Sequence, residues 1–282
     1  MSERVDSLQI EAYAKINLGL KVLGRRPDGF HNIDTIFQSI SLADQLQLKL
    51  RQDDQLLLSV NPAINISAEE NLVIKAAQLL REKSGVQQGV SIQLTKNIPI
   101  GAGLGGGSTD AAATLVGLNR LLNLKLKQDE LKGLAIELGS DVPFFLEGGR
   151  CRGQGRGESL TKVPYRTKAS RVILFSPPFA LSTKDVYSTL DSLEPRDSNF
   201  MSSEYENDLE HAALKLSPEL ADFSKRLSAI CLSTWMSGSG ASYFTIVKDA
   251  WQALAISKQA ENALGCKCYI CKFTEKGYRI IS

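Results

Sequence analysis

Five of the seven residues from Gly101 to Gly107 are glycine, within the run "NIPIGAGLGGGSTDAAATLVGLNRLL" at 97 to 122, and the chain then becomes strongly helix-forming. Glycines let consecutive backbone N–H groups face inward with no Cβ in the way. A helix that follows adds its own unsatisfied N–H groups and the positive end of its dipole. Together these make an anion cradle, suited above all to phosphates. Its candidate members are Pro99 at the entry, then Gly101, Ala102, Gly103, Leu104, Gly105, Gly106 and Gly107. Ser108 and Thr109 stand at the mouth of a helix expected to begin near Ser108. Their hydroxyls suit phosphate, a bound Mg²⁺, or ordinary N-capping.

Other glycine loops fit less well. Gly101-Ala-Gly103-Leu-Gly105-Gly106 satisfies G-x-G-x-x-G. However, the preceding strand alternates rather than running apolar, Pro99 interrupts it, and the place of the ribose-binding acid falls in "LLNLKLKQDELKGLA", which leads into another helix. A Walker loop needs Lys-Ser or Lys-Thr after its last glycine, where this chain has Ser108, Thr109 and Asp110. The H-R-D and D-F-G strings of protein kinases do not occur. A merely flexible loop is the ordinary alternative.

The cysteines suggest no second chemistry. Their odd number, five, fits reduced thiols better than a disulfide framework. Cys266, Cys268 and Cys271 lack a fourth metal ligand nearby, and strand alternation puts Cys271 on the face opposite the other two. Lys and Arg outnumber Asp and Glu only by 33 to 31, which gives no footprint for nucleic acid. The charged N-terminus does not resemble a signal peptide, and no apolar run approaches the roughly 20 residues of a membrane span. A cytoplasmic protein is expected.

The elements that must position this loop follow from periodicity. Strands are expected at Leu8 to Leu20, at "QLQLKL" (45–50), "QLLLSV" (55–60) and "VSIQLTK" (90–96), with a helix from an N-cap at Ser67 to Gly85. Two helices follow the loop, the second ending at Gly139. After the Gly- and Arg-rich stretch 148–170, "RVILFSP" begins a second half with helices "SPELADFSKRLSAI" and "AWQALAISKQAENALG" and strands "SYFTIV" and "KCYICKF". The length favours two domains, and a boundary near residue 165 divides 1–165 from 166–282 in an α+β layout.

"PIGAGLGGGS" has the form P-x-x-x-G-L-G-[GS]-[GS]-[SA], and here the chain resembles the GHMP-superfamily small-molecule kinases. "AYAKINLGL" is similar to that family's N-terminal segment, and "WMSGSGASYFTI" to its C-terminal glycine motif, which places Gly238, Ser239 and Gly240 at the substrate. "RRPDGFHNIDT", "NLVIKAA", the triple glycine and "GSDVPFF" are most similar to the branch whose acceptor is a cytidine-diphosphate-linked methylerythritol. The resemblance implies a ribosomal-protein-S5-like N-terminal domain and a ferredoxin-like C-terminal one. It also implies ATP and Mg²⁺ as cofactors, and phosphorylation of the acceptor's 2-hydroxyl in non-mevalonate isoprenoid precursor synthesis.

Residue by residue, the resemblance puts Asp141 on the acceptor hydroxyl, at a corner between Gly139 and Pro143 where a turn aspartate would otherwise be read. Lys15, otherwise an exposed strand lysine, belongs beside it, its charge lowering the pKa of the reacting hydroxyl. Asn17, two residues on and therefore on the same strand face, would orient substrate or triphosphate. Asn71 and Lys96 belong at the adenine and ribose end of ATP, although each also reads as ordinary surface. Phe30 and Tyr187 would sandwich cytosine while His31 reads its edge. Phe30 stands where many members have tyrosine, and Thr109-Asp110 where they have Ser-Ser or Ser-Asn, which leaves the metal ligand open. Other acceptors (mevalonate, homoserine, a sugar) and a non-catalytic nucleotide- or RNA-binding module are the competing readings.

Overall fold

The computed structural model describes residues 6–64, 66–164, 170–193 and 205–281. Strand β1, Ser7–Arg25, starts with the alternation expected of one buried face, but from Ala14 to Lys21 every residue is buried. There the strand passes between two layers. It pairs antiparallel with β2, His31–Leu50, through register shifts at Tyr13/Ala14, Asn17/Gly19 and Val22/Gly24. Such bulges bend a strand and re-aim its side chains, and the first two bracket Lys15 and Asn17.

The far half of β2 pairs with β4, Val90–Thr95, beside which β3, Leu56–Asn61, runs parallel. The near half pairs with β5, Arg150–Gly155, and β5 with β6, Ser159–Lys162. This hairpin lies in the stretch expected to be only a connection. Helices α1, Leu72–Ser84, α2, Gly106–Leu121, α3, Gln128–Leu138, and α4, Val142–Glu147, pack with this sheet around one core. Gly117 lets α2 lie close, since a Cβ there would come within 2.4 Å of Leu48 and 2.6 Å of Ile10. Ser67 does not cap α1. Its hydroxyl holds Glu70 N–H in a preceding turn, and the cap is Asn71, which accepts from Val73 N–H at 3.0 Å.

A second, antiparallel sheet has the order β10 (Lys267–Cys271), β7 (Arg171–Ser176), β9 (Tyr243–Val247), β8 (Trp235–Met236). It packs with α5, Thr183–Asp191, α6, Asp208–Leu216, α7, Pro218–Ile230, and α8, Ala250–Leu264. Ile16 and Leu18 of β1 share a core with Val172, Leu174 and Phe244 of this sheet. The last strand, β11, Tyr278–Ile280, returns to the first sheet and pairs with β1. The expected boundary at residue 165 lies outside the described residues. Cys266 and Cys268 bring their sulfurs within 3.9 Å, while Cys271 is buried in the core between the sheets.

Candidate active site

A cavity of about 810 Å³ opens where the glycine loop, β1, α5 and the β8–β9 turn meet. Gly101, Gly103 and Gly105 all have positive φ. At Gly103 a Cβ would lie 2.1 Å from the Ser237 carbonyl oxygen, so two glycine motifs far apart in sequence pack backbone to backbone. Helix α2 begins at Gly106, two residues earlier than expected, with Gly105 as an N-cap that has no side chain to offer. The first helical bond is Thr109 N–H to Gly105 C=O, which leaves the N–H groups of Gly106, Gly107 and Ser108 for a ligand. Pro99, Ala102, Leu104 and Ser108 line the cavity as expected, whereas Thr109 does not. Its side chain is 1% exposed, and the hydroxyl is therefore no partner for a phosphate or metal.

Lys15 and Asp141 meet at this cavity, Nζ to Oδ2 at 3.5 Å. Asp141 is the N-cap residue of α4, and Pro143 starts that short helix rather than merely ending the previous one. Lys15 is buried, and burial holds its ammonium below the usual lysine range despite the opposing charge of Asp141. It donates to Asn17 Oδ1 at 2.6 Å, Asn17 Nδ2 donates to Thr35 Oγ1 at 2.8 Å, and that hydroxyl donates to Gly19 C=O at 2.6 Å. The backbone of Lys15 donates to Leu104 C=O at 3.0 Å, which ties the lysine's strand to the glycine loop. Gly238 packs against both residues, as a Cβ there would sit 3.3 Å from Lys15 Nζ and from Asn17 Oδ1. Ser239 also lines the cavity, bonded to Thr183 at 2.8 Å. Gly240 does not. It shapes the turn, where a Cβ would meet Met236 Sδ at 2.8 Å.

Ile64, Ile66, Leu72 and Ile100 give the cavity lining an apolar component, and Asn71 and Lys96 belong to the same lining. Neither polar residue is ordinary surface. Asn71 is 8% exposed and spends its oxygen on the α1 cap, which leaves its amide nitrogen as the donor for a ligand. Lys96 is gripped by Asp44 and by Asp110 Oδ2, the latter at 2.7 Å. Burial works to lower the Lys96 pKa, but the charges of Asp110 and Asp44 outweigh it and hold it above the ordinary lysine value. Burial in turn pushes Asp110 up to about 8, with Lys96 pulling it down and Asp44 pushing it further up.

Phe30, His31 and Tyr187 also line the cavity, paired differently from expectation. Tyr187 stacks on His31, ring centroids 4.9 Å apart and 25° from parallel, while Phe30 lies under the Arg156 guanidinium at 4.8 Å. Burial, then the charge of Asp141, raises the Tyr187 pKa, so its phenol stays protonated. Of the polar residues at this site, Asp44 and Asp191 lie outside every motif of the sequence, while Thr35 and Ser237 stand inside motifs that assign them no role. Each acts through a partner distant in the chain, and only the fold brings them together.

A glycine-rich helix entrance and a buried lysine paired with a half-exposed aspartate, opening on one cavity, define a phosphotransferase that acts on small molecules. The family described as "GHMP kinases N terminal domain" matches residues 71–149. A 4-diphosphocytidyl-2-C-methyl-D-erythritol kinase from Prochlorococcus marinus (strain NATL2A) is 39% identical, covering 98% of this chain and 96% of its own. A crystal structure of 4-(cytidine 5'-diphospho)-2C-methyl-D-erythritol kinase, 33% identical, superposes with a TM-score of 0.79 over 94% of this chain and 98% of that one. The chain belongs to this family of GHMP kinases. A homoserine kinase from Cytophaga hutchinsonii, 20% identical with a TM-score of 0.78, covering 100% of this chain and 99% of its own, shares the two-domain α+β fold.

Proposed function

We infer that the protein transfers the γ-phosphoryl group of ATP to the 2-hydroxyl of 4-diphosphocytidyl-2-C-methyl-D-erythritol, a step of non-mevalonate isoprenoid precursor synthesis in the cytoplasm. The observation that carries the reading is that the Lys15–Asp141 pair and the N-terminal turn of α2 face one cavity. Phosphoryl transfer needs alignment and charge neutralisation more than covalent chemistry. The N–H groups of Gly106, Gly107 and Ser108 hold the triphosphate, and Asn71 and Lys96, with the apolar lining residues Ile64, Ile66, Leu72 and Ile100, take the adenosine end. Asp141 accepts the hydroxyl proton as the acceptor oxygen bonds to the γ-phosphorus and the bond to the β-phosphate oxygen breaks. Lys15, 3.5 Å from Asp141, stabilises the developing alkoxide with its charge.

Bound Mg²⁺ would neutralise charge on the phosphate oxygens. Among the described residues no three His, Cys, Asp or Glu side chains cluster to cage a metal. Magnesium on a nucleotide takes only one or two protein ligands besides phosphate and water, and the Ser108 hydroxyl, which lines the cavity, fits that part. Five free thiols suit a reducing compartment, and no helix among the described residues is long and apolar enough to cross a membrane. An ATP-consumption assay with the cytidine-diphosphate substrate, mevalonate and homoserine tests the assignment. Turnover confined to the first is expected, and preference for another acceptor would overturn it.

A further inference from the structure

Helix α5 grips His31 in two directions at once. Tyr187 stacks on the imidazole face, and Asp191, one turn further along the same helix, takes the ring edge through Nε2···Oδ1 at 2.7 Å. The other Asp191 oxygen faces Arg25 at 3.7 Å, and Arg25 is the direct cross-strand neighbour of His31. Asp191 is the last residue of α5, where the helix dipole opposes a negative charge, and the last turn holds no basic residue to compensate. Its compensation comes from β1 and β2 instead. All three of Arg25, His31 and Asp191 line the cavity.

A neutral imidazole has one N–H donor and one lone-pair acceptor, and the hydrogen bond made by one nitrogen fixes the state of the other. A carboxylate can only accept, so Nε2 carries a proton, and in the neutral ring that leaves the lone pair on Nδ1. We propose that Asp191 is a positioning residue for base selection: by accepting the Nε2 proton of His31, it fixes the tautomer whose Nδ1 accepts from the amino group of cytosine and repels the carbonyl of uracil. This rests on reading Phe30, His31 and Tyr187 as the acceptor-base end of the site, and it supplies what stacking cannot, since a π-face is blind to the base edge.

Only two histidines occur in the chain, so His211→Gln leaves His31 as the sole imidazole signal in a ¹⁵N spectrum. In the parent that signal should report the Nε2–H tautomer. In Asp191→Asn, whose amide can donate as well as accept, the Nδ1–H form should gain population. In parallel, kcat/KM is measured for the cytidine substrate and its uridine analogue. The ratio should fall at least about tenfold in Asp191→Asn, because a mispaired buried group is worth that much, while the KM for ATP stays constant. A parent His31 found as the Nδ1–H tautomer or as imidazolium overturns the proposal. So does a cytosine preference that Asp191→Asn leaves unchanged, with the functional reading intact. A parent that turns over neither pyrimidine substrate overturns the functional reading itself, and the proposal with it.

Discussion

Exchanging Asp141 for asparagine keeps its size and its place at the α4 N-cap but removes the group that accepts the proton, so the consequence should be kinetic. Asp141→Asn is expected to lower kcat by at least about 10²-fold, about 2.7 kcal/mol of barrier, with ATP affinity nearly unchanged because the cradle is made of other residues. Near-parental turnover would remove Asp141 from the mechanism. Asp110 makes the opposite kind of prediction, in stability rather than rate. Unfolded, its carboxyl ionises near the ordinary 3.8, and folded it is held up to about 8. Between those values the folded chain keeps a proton that the unfolded chain has released, so this group's contribution to stability falls as pH rises across that window. Asp110→Asn leaves Asp44 on Lys96 and removes the slope. The Tm of the variant minus that of the parent should therefore climb from about pH 5 to about pH 8. A flat difference would mean that Asp110 is ionised throughout.

Among elements, the glycine loop divides into positions the fold needs and positions the ligand needs. At Gly105 a Cβ would strike the Phe145 ring at 2.5 Å, and at Gly103 the Ser237 carbonyl oxygen at 2.1 Å, so side chains there damage folding first. Gly107 has room, its nearest contact being Leu72 at 3.6 Å. Gly107→Val should keep the parental Tm yet weaken ATP binding by at least about tenfold in calorimetry, whereas Gly103→Ala should lower the Tm. Unchanged ATP affinity in a folded Gly107→Val would dismiss the cradle. This division was invisible in the sequence, where the glycines look alike, although the loop and its helix were plain. Clean periodicity made β3, β4, α3, α7 and α8 legible too. The β5–β6 hairpin was not, because its inward alternation is written in Cys151 and Gly153, and glycine replaces a hydrophobe where Phe37 would sit 2.5 Å from a Cβ. The true cap of α1 was hidden by a turn that uses Ser67 first. Which residues gather at the cavity was largely legible through the motifs, but Asp44 and Asp191 answer to partners 52 and 160 residues away, a separation no local pattern encodes.

On the scale of the whole molecule, length alone suggests a first half able to fold by itself, and the topology argues otherwise. Strand β11 comes from the far end of the chain to complete the first sheet, and on the way Gly277 accepts from Tyr13 N–H at 2.9 Å. Gly277 also passes so close to α4 that a Cβ would lie 2.0 Å from the Phe145 carbonyl oxygen, and it is the Phe145 ring that backs Gly105. The C-terminal segment therefore braces the phosphate loop through a single residue. Ile16 and Leu18 of β1 meanwhile need Val172, Leu174 and Phe244 to stay dry. A fragment ending at residue 164 would expose that core and leave the β1 edge unpaired, both of which favour unfolding or association over an independent domain. Produced alone, residues 1–164 should unfold without a cooperative transition and show no ATP binding by calorimetry. Adding residues 170–282 as a separate chain should restore both, since the contacts between the halves are non-covalent. Cooperative melting of the 1–164 fragment together with full-chain ATP affinity would show that β11 and the second sheet are dispensable to the cradle.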